Sequence, residues 1–238
     1  MTYRLDSDIL WLYGKIIDLE TGKILDPSLN VDWKNPNENF VDDEILKFSM
    51  NKTKTAAWLV SHCNASSKRD DLTRKLQEFI DVDVFGECGT ALCPDNVDCV
   101  AFVQQNYWFY LAFENSLCVD YITEKVYKVM DMILIPVIYS GVELSRFLPP
   151  KSYIDANDFA TAQDLANHLK FLTQNPLEYV KYFWWKGKYK ITERNGIFNP
   201  CEICQKISEP NLLTKRQVYE DFRAWYAKDV CMEPKIKF

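Results

Sequence analysis

Tyr107-Trp108-Phe109-Tyr110-Leu111-Ala112-Phe113 runs for seven residues without a charged or amide side chain and stops at Glu114-Asn115-Ser116. A run that short, apolar at both odd and even positions, predicts a strand buried on both faces, the habit of a parallel sheet covered by helices. A helix is predicted over 123–132, with Thr123 or Asp120 near its cap. A second buried strand follows at Ile135-Pro136-Val137-Ile138-Tyr139, closed by Ser140-Gly141. Pro136 has no N–H to give a ladder, so it belongs near the start of that strand. Upstream, 55–61 reads as a further buried strand, and 69–80 as a helix with apolar residues at 72, 76, 79 and 80. A strand at 83–85 ends at Gly86. Downstream come a short strand at 152–155 and an amphipathic helix over 161–172, apolar at 162, 165, 166, 169 and 172. Pro176 opens another helix and 218–226 forms a terminal one. Strand and helix alternate throughout, which predicts an α/β fold built on a Rossmann-like parallel sheet. Residues 86–105, with two glycines, Pro94 and three cysteines, read as an irregular insertion. In residues 1–50 only 8–13 reads as a strand. The division expected is an N-terminal linker region at 1–54, the sheet domain at 55–200 and a cysteine-bearing C-terminal segment at 201–238.

The chain has 238 residues, 47% of them hydrophobic and 14% aromatic, enough to bury roughly 70% of the unfolded surface. Wholesale disorder is thereby excluded. A net charge of −6 argues against an extended nucleic-acid surface, so no nucleic-acid partner is expected. No apolar run reaches 18 residues, and residues 1–20 lack the pattern of a signal peptide. Eight cysteines (63, 88, 93, 99, 118, 201, 204 and 231) pull the other way, toward an oxidising compartment. The triplets Asn51-Lys52-Thr53 and Asn64-Ala65-Ser66 are glycosylation acceptors that point there too. The alternative is zinc held by Cys201-x-x-Cys204, whose second pair would come from 88, 93 and 99 at unsuitable spacing. Cys93 and Cys99 are placed for a local bridge across the insertion.

In open α/β sheets ligands bind beyond the carboxyl ends of strands. Glu114-Asn115-Ser116 through Tyr121-Ile122-Thr123-Glu124-Lys125 lies there. Lys125 suits a phosphate and Glu124 the two hydroxyls of a ribose. The competing reading makes Thr123 a cap, Glu124 a favourable first-turn charge and Lys125 a solvated side chain. Arg69 is either a surface residue or a second phosphate contact, and His62 either a base or an ordinary hydrogen-bonded histidine. The acidic group Glu38, Asp42, Asp43 and Glu44 reads as a solvated face. Gly-x-Gly-x-x-Gly, a Walker lysine motif and Gly-x-Ser-x-Gly are all missing from the sequence.

Residues 109–128, Phe-Tyr-Leu-Ala-Phe-Glu-Asn-Ser-Leu-Cys-Val-Asp-Tyr-Ile-Thr-Glu-Lys-Val-Tyr-Lys, resemble the signature of the α1,3-fucosyltransferase family. The likeness continues through 135–141, 147–154, 2–8, 58–63 with Lys68-Arg69, and 84–89, and the cysteine-rich insertion is most similar to invertebrate members. The resemblance implies the donor-binding half of a GT-B glycosyltransferase. It would transfer L-fucose from GDP-β-L-fucose, with inversion, to a GlcNAc-containing glycan acceptor, the N-glycan core among the candidates. It implies that Arg69 and Lys125 bind the pyrophosphate and stabilise the leaving group, that Glu124 binds ribose, and that Ser61, Asn115 and Tyr121 line the donor site. Glu114 is implied as a residue behind the pocket as much as in it, and His62 stands where the family usually has Asn. No cofactor is required beyond the GDP-fucose donor, no ligand cluster implies a metal, and stimulation by a divalent cation is compatible with the resemblance. The family's general base has no counterpart in this chain, so an inactive GDP-fucose-binding fragment is the alternative. The resemblance further implies a Golgi lumen location, with membrane association only through an upstream segment, and a stapling role for Cys201 and Cys204.

Overall fold

The structure is a computed structural model that describes residues 2–25, 27, 31–193, 203–204, 207–210, 218–228 and 230–237. Five parallel strands form the main sheet: β3 (Lys54–Leu59), β4 (Val82–Phe85), β5 (Tyr107–Phe113), β6 (Ile135–Tyr139) and β7 (Ile154–Asp155), in the spatial order β4-β3-β5-β6-β7. Every residue of β5 and β6 is buried, as the unbroken apolar runs require. Pro136 is the second residue of β6, and β7 pairs only from Val137 onward.

Helices cover both faces. On one, Trp58 and Phe109 meet Leu72 and Leu76 of α2 (Arg69–Leu76), Leu165 and Leu169 of α5 (Ala162–Gln174), and Tyr179 of α6 (Pro176–Val180). Ile45 of α1 (Asp43–Met50) joins that layer. On the other face, Tyr110 and Ala112 pack with Val103 of α3 (Cys99–Asn106) and with Val126 and Val129 of α4 (Glu124–Met130). This second layer is completed by a small antiparallel sheet. Strand β1 (Gly14–Asp18) pairs with β2 (Ile24–Leu25) and with β8 (Tyr189–Glu193), placing Ile16 and Ile191 in the core.

Four local expectations change. The strand expected at 8–13 lies instead at 14–18, because β8 supplies the backbone partners there, while Leu10 makes only an isolated bridge to Thr2. The insertion is not wholly irregular: Asp98 accepts from Ala101 N–H at 2.8 Å and starts α3. The strand at 152–155 shrinks to Ile154–Asp155, and the terminal helix α7 spans Phe222–Ala227, set by an Asp221 cap. The acidic group keeps its solvated face: Asp43 and Glu44 are exposed at the start of α1, which Asp42 caps by accepting from Glu44 and Ile45 N–H, and Glu38 makes a surface pair with Lys151.

Disulfides join Cys63 to Cys88, Cys93 to Cys99, and Cys118 to Cys231. The local bridge over the insertion is therefore present. Cys201 lies outside the described residues, and Cys204 is an exposed free thiol, so the stapling expected of Cys204 is not found. Among the described residues no helix is long and apolar enough to cross a membrane.

Candidate functional site

After β3 the chain steps outward to β4 and then returns to the other side of β3 as β5. Connections on either side of that reversal leave over opposite faces, which opens a crevice beyond the carboxyl ends of β3 and β5. Ser61 and His62 form one exposed lip, just past β3, and Glu114 and Asn115 form the other, just past β5.

Arg69, the first residue of α2, spans the two lips. It is only 2% exposed, and it donates from Nη1 to Phe113 O at 2.7 Å and from Nη2 to His62 O at 2.6 Å. Its guanidinium lies 5.3 Å from the Trp58 ring centroid, and Nε has no partner. Burial pulls its pKa down from an ordinary arginine's, though a guanidinium keeps its proton at any physiological pH. The surface alternative for Arg69 is thus corrected: it is an internal cation holding the crevice to its width.

On the opposite lip Glu114 is fully buried. Its N–H donates to Tyr139 O at 2.9 Å, fixing the end of β5 against β6. Oε1 accepts from Thr123 N–H at 2.7 Å and from Thr123 Oγ1 at 2.9 Å, while Oε2 accepts from Lys125 Nζ at 2.8 Å. Lys125 Nζ also donates to Thr123 Oγ1 at 2.8 Å and stands 3.7 Å from Glu124 Oε1. Thr123 occupies the cap position of α4 but makes no side-chain cap hydrogen bond, because its hydroxyl is turned to Glu114 and Lys125. Lys125 is therefore no solvated surface lysine: its side chain is 16% exposed, and its ammonium is fixed at the crevice. Burial pushes the Glu114 carboxyl up, opposed by the charge of Lys125 and the donors of Thr123.

Glu124 keeps an exposed carboxylate beside this pair, its side chain 43% exposed. Asn115 accepts through its backbone from Ser67 N–H at 3.0 Å and Ser66 Oγ at 3.1 Å, and its buried Oδ1 has no partner. Tyr121 is half-buried, edge-on to Tyr3 with ring centroids 5.0 Å apart, and burial raises its phenol pKa. Tyr13 is not among the residues that the sequence marks for the site. It stands at the start of β1 beside α4, and burial, then the charges of Glu124 and Glu114, raise its phenol pKa. The next residue explains that placement. A Cβ at Gly14 would lie 2.0 Å from the Tyr127 ring, so only glycine lets β1 start this close to α4. Nothing in the local sequence pattern announces that contact, apart from the glycine itself. Among the described residues no three His, Cys, Asp or Glu side chains gather as a metal-binding set.

The crevice thus has a buried cation, Arg69, bridging its two lips and a second, Lys125, fixed on the Glu114 side, with an exposed carboxylate and two tyrosines near it. Such a set suits a ligand that carries a compact anion next to a diol. Residues 49–225 match the family described as glycosyltransferase family 10 (fucosyltransferase), C-terminal part. The chain is 40% identical over 238 residues to alpha-(1,3)-fucosyltransferase C of Drosophila melanogaster, covering all of this chain and 55% of that protein. It is 34% identical over 178 residues to alpha-(1,3)-fucosyltransferase fut-1 of Caenorhabditis elegans, covering 67% of this chain and 41% of that one. The chain therefore spans about half the length of the relatives it matches. A crystal structure of an alpha1,3-fucosyltransferase with GDP-fucose superposes with a TM-score of 0.57 at 21% identity, over 73% of this chain and 51% of that one, and supports the fold. The family match over residues 49–225 and the 40% identity over the whole chain show that the chain belongs to glycosyltransferase family 10, the fucosyltransferases.

Proposed function

We propose that this chain is the donor-binding half of a GT-B α1,3-fucosyltransferase, holding GDP-fucose in the crevice between β3 and β5. The observation that carries the reading is Lys125. Its ammonium is nearly buried and is fixed by Glu114 and Thr123 on the lip that Arg69 ties to the other. Lys125 and the field of Arg69 address the diphosphate, and the exposed carboxylate of Glu124 accepts from the ribose hydroxyls. Asn115, Tyr121 and Ser61 complete the donor pocket. Transfer proceeds by attack of an acceptor hydroxyl on C1 of fucose as the bond from C1 to the diphosphate oxygen breaks, giving the inverted α-linkage. A base takes the hydroxyl proton. We assign that base to the acceptor half of the whole enzyme and to no residue of this chain. Lys125 and Arg69 stabilise the charge that develops on departing GDP. The acceptor is a GlcNAc-containing glycan, and the three disulfides fit a Golgi lumen location.

Calorimetry with GDP and with free L-fucose tests the donor assignment: GDP should bind and fucose alone should give no measurable heat at the same concentration. A folded chain that binds no GDP overturns it. With GDP-fucose and GlcNAc-terminated acceptors, this chain alone should form little product, and one extended through the acceptor half should turn over.

A further inference from the structure

The carboxyl edge of the sheet has a second concavity, on the far side of the loop that carries Glu114 and Lys125. A cavity of about 480 Å³ lies where β6 and β7 end, within the roughly 300–1,000 Å³ range of small-molecule sites. Residues 140–145, leaving β6, form one wall, and Tyr153, Asp155 and Asp158 form another. The C-terminal segment completes it. Cys231 is bonded to Cys118, Met232 N–H donates to Leu117 O at 2.8 Å, and Met232 and Lys235 both reach the cavity. Only backbone separates it from the donor loop, since a Cβ on Gly141 would lie 2.4 Å from the Leu117 carbonyl carbon.

The polar lining is rich in acceptors. Asp155 Oδ1 accepts from Asn157 N–H at 2.8 Å and from Asn157 Nδ2 at 3.1 Å, which leaves its other oxygen open. Glu143 and Asp158 add carboxylates, against the single ammonium of Lys235. A diphosphate meets net repulsion here, whereas a neutral polyol finds acceptors on two walls. The Tyr153 ring and Met232 supply apolar surface for the C–H face of a pyranose.

We propose that this cavity is a saccharide subsite holding a neutral sugar unit of the acceptor glycan, an inference that rests on the fucosyl-transfer reading above. Saturation-transfer NMR of the 238-residue chain with N-acetyllactosamine and with N,N′-diacetylchitobiose tests it, alongside GDP calorimetry. Saccharide signals should persist under saturating GDP and be unchanged in Lys125→Ala. Asp155→Ala should weaken binding about tenfold, as expected for one lost charge-assisted hydrogen bond. Asp155 also supports its own turn, so Ser145→Trp provides a second variant: it fills the exposed rim of the cavity and leaves that turn intact. It should abolish the saccharide signals while GDP affinity stays at the parent value. Signals that survive both substitutions, or that are missing while GDP binds, overturn the subsite. Displacement of the saccharide by GDP-fucose but not by GDP makes the cavity the donor's own sugar pocket and overturns it equally. If the parent chain fails to bind GDP, the donor reading falls, and saccharide binding at Asp155 is still decided by its own signals.

Discussion

Lys125→Met removes the ammonium and keeps the aliphatic stem. What remains is Glu114, fully buried, with only the two donors of Thr123. Removing one partner of a buried pair costs about 3–5 kcal/mol when the other must stay charged. Glu114 has an escape, because burial already pushes its carboxyl up from the ordinary 4.5, and without Lys125 the strongest opposing charge is gone. Taking up a proton caps the penalty: protonating a carboxyl whose ordinary pKa is 4.5 costs about 3 kcal/mol at pH 7 and under about 1 kcal/mol at pH 5. The sign follows from proton binding. A carboxyl whose folded pKa is raised holds its proton in the folded state while the unfolded state has lost it, so its contribution is fully present below the unfolded pKa. That contribution is lost as pH rises through the folded value. The variant should therefore be about 3 kcal/mol less stable than the parent at pH 7 and nearly as stable at pH 5, measured by urea unfolding at both pH values. Adding Glu114→Gln removes the stranded carboxylate and should recover most of the stability. It should not recover nucleotide affinity, which falls roughly thirtyfold with the loss of about 2 kcal/mol of charge-assisted contact. A destabilisation of equal size at pH 5 and pH 7 would refute the account of Glu114 as the buried counter-charge.

Other consequences can be measured on the same chain. Glu124→Gln should leave the melting temperature within about 1 °C, since the side chain is 43% exposed and its ion pair with Lys125 is long at 3.7 Å. It should weaken GDP about tenfold and leave inorganic pyrophosphate binding unchanged, because only GDP has ribose hydroxyls to lose; equal losses for both ligands would contradict the ribose role. Lys52, whose Nζ donates to Tyr107 O and Ile133 O, is pushed down to about 7 by burial. The unfolded chain then binds more protons than the folded one between pH 7 and 10, so stability should climb over that interval in the parent and flatten in Lys52→Met. Parallel pH profiles would count against it. Cys118→Ser with Cys231→Ser opens a link across 113 residues of sequence and should cost on the order of 4–5 kcal/mol of stability, read as a lower urea midpoint, with no change expected if the bridge does not form in solution.

The parts of the fold legible in the sequence are those where one segment carries its whole signal. β5 and β6 are buried on both faces, so neither alternates, and an unbroken apolar run has few other ways to be satisfied in water. The amphipathic spacing of α5 is equally self-contained, and Thr161 with Asp164 adds a capping box that marks its start. β1 is different. Its five residues become a strand because β8, about 170 positions away, offers a ladder, and the sequence of either segment alone specifies no such partner. A sheet edge drawn from both ends of a chain is invisible to local pattern.

The candidate site divides along the same line. Asn115, Tyr121, Glu124 and Lys125 cluster in the sequence because one strand-to-helix connection delivers them, and position at a strand's carboxyl end was enough to mark them. Their division of labour was not legible. Glu114 and Lys125 lie eleven positions apart on a connection without a period, and the same residues satisfy a surface reading as well as a buried one. The choice is made by the backbone at Thr123: once Glu114 is drawn under α4 by that N–H, it is a buried carboxylate, and a buried carboxylate requires a cation. Lys125 is the lysine within reach. Arg69 follows the same reasoning between the lips, where the carbonyls of Phe113 and His62 lie on either side of the strand reversal and one guanidinium satisfies both. The crevice thus holds two internal cations because its construction needs them, Lys125 to match the buried Glu114 and Arg69 to satisfy the two carbonyls, and the proposed anion site uses charges that the fold has already placed.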